Sequence, residues 1–134
     1  MVNQQRPWYE EYAWGQPETQ AGLITPANTN FQLMRIPYPA PNASKTQVIA
    51  ISLSNPGGVA GLVKIWDQDL TDASTAAGNR GSVNAPILQY NVPASADVNV
   101  DVITRPYFQT GIAAQSSINN MFYSIYVVHT GLGV

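Results

Sequence analysis

One histidine, His129, and eight carboxylates are the acid–base repertoire of this chain, which has no cysteine. Without Cys, a nucleophile–base pair built on a thiolate is excluded, and a hydroxyl–imidazole–carboxylate triad would have to use His129. That residue lies in the apolar run Met121 to His129, near the end of the sequence, where it reads as a strand-end histidine close to an interface. The densest carboxylate cluster is Asp67, Asp69 and Asp72, in Trp66-Asp67-Gln68-Asp69-Leu70-Thr71-Asp72. Acids at i and i+2 open a calcium loop, but such a loop needs Gly at its sixth position and a bidentate Glu at its twelfth. Asp72 and Gly78 stand there, so the cluster reads as a solvated strand-end loop with Asx-type turns. As a glycosidase pair these acids lack a Glu placed to have its pKa raised. No phosphate-cradling GxxxxGK[ST], dinucleotide GxGxxG or zinc-binding HExxH is present. Asn42-Ala43-Ser44 has the form of a glycosylation acceptor and reads as a turn, since the N-terminal residues show no basic-then-apolar leader. The chain is therefore expected not to be an enzyme, and to carry no catalytic metal or cofactor.

The elements that would position any site are short and of β type. Phe31 to Ile36 is the first apolar run, closed by Pro37-Tyr38-Pro39-Ala40-Pro41, which cannot join a central ladder. Gln47 to Ser54 alternates, with Ile49, Ile51 and Leu53 on one face. Asn55-Pro56-Gly57-Gly58 and the run Gly61 to Asp67 then suggest a hairpin. After a polar stretch, Gln68 to Asn84, come Pro86 to Val92, Ala96 to Ile103, Tyr107 to Ala114 and Met121 to His129. The last is apolar on both faces, as a central or interface strand would be. No window sustains a 3.6-residue period. The expectation is an all-β chain: a single β-sandwich or jelly-roll-like domain over residues 30–134, with an extended arm at 1–29. Alternation puts Ile49, Ile51, Leu53, Val63, Ile65, Leu88, Val100, Ile112, Ile125 and Val127 in the core.

The arm is aromatic. Trp8, Tyr9, Tyr12 and Trp14 sit among Pro7, Pro17 and Pro26 without helix or strand period. Disordered tails are poor in aromatics, and four such rings carry roughly 600–1,000 Å² at about 150–250 Å² each. A monomer's largest apolar patch is roughly 300–600 Å². Some surface must cover them, either a partner or the arm's own body, and these four residues are the candidate partner-binding group. Composition points the same way. Charged residues make up 10% of the chain, against about 25% in ordinary soluble domains. A net charge of −2, with six scattered basic residues, argues against nucleic acid as partner. No apolar run is long enough for a membrane helix.

Between residues 47 and 129 the order of segments resembles a family of small tailed-phage virion proteins. The matching stretches are Ser54 to Pro56, Val63 to Asp67, Pro86 to Pro93 and Phe108 to Ala113. The resemblance implies a β-sandwich on the capsid surface of a virion, a decoration (cement) protein bound to the major capsid protein, without catalytic residues. A homotrimer is the expected assembly, since symmetric copies cover such surfaces. Two other functions fit the composition: a tail or fibre appendage that contacts the host surface, and a carbohydrate-binding β-sandwich using Trp66 and Tyr107 as stacking platforms.

Overall fold

A computed structural model describes residues 16–24, 30–35, 45–68 and 85–130. Among them every regular element is a strand: β1 (Gln16–Ile24), β2 (Asn30–Arg35), β3 (Lys45–Asn55), β4 (Gly61–Asp67), β5 (Leu88–Val92), β6 (Ala96–Asp101), β7 (Tyr107–Phe108), β8 (Gly111–Ser116) and β9 (Met121–Thr130). Two antiparallel sheets pack face to face. The first runs β1-β9-β3-β6, with β7 continuing beyond β6 along β3, and the second runs β2-β8-β4-β5. Successive strands mostly alternate between the sheets, which is the two-Greek-key order of a jelly roll.

The core lies between the sheets and follows the period of 2. Ile51, Leu53, Tyr123, Ile125 and Val127 from the first sheet meet Val63, Ile65, Val92, Ile112 and Ala114 from the second. Each such side chain contributes about 1.5–3 kcal/mol of burial. Leu88 and Val100 are partly buried against this cluster. Ile49 is not in it, contrary to the alternation. The β3–β9 register shifts between Val48 and Ala50, so Val48 turns inward and is fully buried. The bulge leaves the Ile49 carbonyl to accept the Val102 amide at 2.9 Å.

The expected β3–β4 hairpin does not form. β3 pairs with β6, β7 and β9, while β4 pairs with β5 and β8. Residues 56–60 form an arch from one sheet to the other. Asn55 holds it: its Oδ1 accepts from Gly57 N at 2.9 Å, and its Nδ2 faces the carbonyls of Val59 (2.8 Å), Val92 (3.2 Å) and Pro93 (3.2 Å). The Ser95 amide donates to Gly57 O at 2.9 Å, tying the arch to the β5–β6 turn. A hairpin turn and an arch use the same Pro and Gly, so local sequence does not separate them.

The boundary of the body also moves. Gln16–Ile24, read from sequence as part of the arm, is an edge strand in continuous register with β9, and Ile24 is fully buried in the core. A Cβ at Gly22 would lie 3.1 Å from Tyr123 Cε1, so the glycine gives that ring its room. Tyr123 in turn donates to Leu33 O at 3.0 Å, joining the two sheets, and burial raises its phenol pKa.

Candidate functional site: the outer face of the first sheet

The polar groups nearest to catalytic type are structural in their geometry. Strands β1, β9 and β3 bring Glu18, His129 and Thr46 into one hydrogen-bonded row. His129 Nε2–H donates to Glu18 Oε1 at 2.6 Å. The Thr46 hydroxyl lies 2.7 Å from His129 Nδ1, to which it donates when the ring is neutral. Order and types are those of a hydroxyl–imidazole–carboxylate relay, but the Thr46 hydroxyl has no exposure to solvent. A buried hydroxyl meets no substrate, so the row serves to clamp three strands together.

Asp67, at the end of β4, caps a turn. Its Oδ1 accepts from Thr110 N (2.9 Å) and Thr110 Oγ1 (2.8 Å), and its Oδ2 from Gln109 N (3.0 Å). This links Trp66-Asp67 to the Phe108–Ile112 segment through β4–β8 pairing. Asp69 and Asp72 lie outside the described residues, among which no group of three or more His, Cys, Asp or Glu could hold a metal ion. Asp67→Ala is expected to cost about 2 kcal/mol, because bonds to a charged group contribute roughly 1.5–3 kcal/mol and solvent screens this one. Thermal unfolding checks it, and Asp67→Asn should recover part of the loss, since an amide oxygen still accepts from Thr110.

The feature that stands apart is the solvent side of the first sheet. On β9 the outward positions are Phe122, Ser124, Tyr126 and Val128. Phe122 is 49% exposed and Tyr126 39%. Register places Ser54 beside Phe122, Ser52 beside Ser124 and Ala50 beside Tyr126 on β3. β6 then sets Asp97 beside Ser54, Asn99 beside Ser52 and Asp101 beside Ala50. Small side chains between an aromatic strand and an acid–amide strand leave a trough of about 290 Å³, lined among others by Ser52, Ser54, Asp97, Asn99, Phe122 and Ser124. The Ser52 hydroxyl donates to Asn99 Oδ1 at 2.6 Å, fixing that amide.

The sequence marked other residues. Trp8, Tyr9, Tyr12 and Trp14 lie outside the described residues. Trp66, considered as a stacking platform, is 5% exposed and offers no ring to a ligand, whereas Tyr107 is 52% exposed. The trough has no signal in the sequence, because Phe122 and Tyr126 alternate with core residues in a run apolar on both faces, the pattern of a central or an interface strand alike. β9 is central, between β1 and β3, but among the described residues no third layer covers its outer positions, and both rings are exposed. The chain matches no family model, no curated protein and no solved structure.

Proposed function

We propose that this chain is a virion structural protein, a capsid decoration protein that binds the assembled shell of a tailed phage through the major capsid protein. The observation that carries the reading is the polarity of the sandwich. β1 begins, β2 ends, β3 begins, β4 ends and β9 ends at one end of it, so Gln16, Arg35, Lys45, Gln68 and Thr130 cluster there. The aromatic residues Trp8, Tyr9, Tyr12 and Trp14 precede in sequence Gln16, the first residue of β1, which lies at that end. The opposite end carries the tight connections 56–60, 93–95 and 117–120. This arrangement supports an attachment role for that end, and the low charge of the chain suits a module packed among copies and coat subunits. Exposed Ile103 (86%) and Tyr107 (52%), in and just after the β6–β7 connection, add apolar surface toward the attachment end. The jelly roll occurs in viral capsid domains and in lectins alike, so the fold is compatible with the role and does not assign it.

Binding the assembled lattice and not free coat protein would stabilise the shell by mass action. Light scattering on the isolated protein should give a trimer. Cosedimentation with assembled heads of the encoding phage should saturate at a fixed copy number per shell, without binding to unassembled coat protein. A monomer that fails to sediment with heads would sink the proposal.

A further inference from the structure

We propose that the trough on the outer face of the first sheet binds a neutral oligosaccharide. Its chemistry is specific to that class. One wall is the exposed Phe122 ring, a hydrophobic plane on which the C–H face of a pyranose can stack. The floor is Ser52, Ser54 and Ser124, and the opposite wall is Asp97 and Asn99, a carboxylate and an amide able to bond adjacent hydroxyls in pairs. Phe122 and Asp97 stand two strands apart, with Ser54 between them. At about 4.8 Å per strand that is roughly 10 Å, wide enough for one sugar ring and its hydroxyls.

The volume, about 290 Å³, sits at the lower edge of small-molecule sites, about 300–1,000 Å³. Tyr126, four residues along β9 and also exposed, lies roughly 13 Å from Phe122. It offers a second platform two or three sugar units away, so the ligand is longer than a monosaccharide.

Other occupants fit less well. Among the described residues no Lys or Arg lines the trough, and Asp97 and Asp101 on the same strand oppose a phosphate, sulfate or sialic acid. A second copy docked face to face by a two-fold axis would set this serine-lined, acidic surface against itself, with Asp97 and Asp101 of both copies brought together, which is unfavourable. A sugar supplies hydroxyl donors and acceptors to the serine hydroxyls and the Asp97 carboxylate alike.

The full-length protein should bind neutral oligosaccharides on a glycan array, and saturation-transfer NMR with cellobiose, maltose, lactose and chitobiose should identify the ring stacked on Phe122. Phe122→Ala should weaken binding at least tenfold, with far-ultraviolet circular dichroism unchanged and a cooperative melt only a few degrees lower, because the ring is half exposed. Asn99→Ala should weaken it similarly, and Tyr126→Ala should lower affinity for tri- and tetrasaccharides while sparing disaccharides. The proposal is overturned if no neutral glycan binds, if sialylated or sulfated glycans are preferred, or if Phe122→Ala leaves the affinity intact. It is also overturned if Phe122→Ala dissociates an oligomer of the chain, which would make the face a contact between copies. Head cosedimentation reads the attachment end separately, so failure of either function leaves the other measurable.

Discussion

Asn55→Asp should be among the most damaging single-atom changes available to this protein, lowering stability by about 4 kcal/mol at neutral pH. The replacement exchanges one NH₂ for an oxygen of nearly equal size, so packing is unchanged. Asn55 is buried at 1% exposure, and its Nδ2 faces three carbonyl oxygens at 2.8–3.2 Å. An aspartate would direct a negative charge at three negative dipoles in a place water does not reach, leaving those carbonyls without this donor. Stability of small domains is about 5–15 kcal/mol in total, so the variant should be close to unfolding. The pH dependence has a definite sign. Burial and the carbonyls would raise the folded-state pKa of Asp above its unfolded value of about 3.9. The folded state then binds more protons than the unfolded one, so stability rises as pH falls through the folded pKa and is lost again as pH rises. Urea unfolding followed by fluorescence of the buried Trp66 would show the midpoint of the variant increasing from pH 7 to pH 5. Asn55→Ala, which adds no charge, should cost about 2–3 kcal/mol without that added pH dependence. Equal midpoints for wild type and Asn55→Asp at pH 7 would remove Asn55 as the tie that makes the arch.

The same residue marks the limit of what sequence could tell. Alternation located β3, β4, β6 and β9 and most of the core, because a sheet with one buried face repeats every two residues. It said nothing about partners. β3 and β4 look like a hairpin because a Pro-Gly turn joins two alternating runs, and only long-range pairing places them in different sheets, with Asn55 bonded across to Val92 and Pro93. β1 escaped for a different reason. Its inward positions are Gln16, Glu18, Gln20, Gly22 and Ile24, facing the inward row of β9, and only Ile24 has the apolar character that alternation detects. Glu18 is half exposed at the open end of the sandwich, and Gly22 is there to admit a ring. Ile49 was misplaced by a bulge, which shifts the period by one residue without a composition signal. The trough has no linear signature: Phe122, Ser52, Ser54, Asp97 and Asn99 come from three strands, and only the pairing β9-β3-β6 assembles them.

Two N-terminal deletions that differ by fourteen residues should therefore give opposite results. Removing residues 1–15 leaves β1 whole, and if those residues serve a partner the shortened protein should unfold cooperatively within about 1 kcal/mol of full length. Removing residues 1–29 takes away the edge strand. It strips Ile24 from the core, a loss of about 1.5–3 kcal/mol in burial alone. It also removes the covering of Tyr123 at Gly22, deletes the Glu18 partner of His129, and leaves the backbone groups of β9 on that side unpaired. A bare, apolar edge of ten residues is a template for association. The longer deletion should yield aggregated or unfolded material, whereas the shorter one should stay folded and lose its hold on assembled heads. Replacing Trp8 and Trp14 by Ala in the full chain should reproduce most of that loss. Buried aromatic anchors at an interface typically cost 2 kcal/mol or more each, about a thirtyfold drop in affinity per ring. Circular dichroism melts and head cosedimentation on the four proteins separate the outcomes. A folded 30–134 fragment would return β1 to the arm, and full occupancy of heads by the 16–134 fragment would mean that the aromatic residues before Gln16 are not the grip.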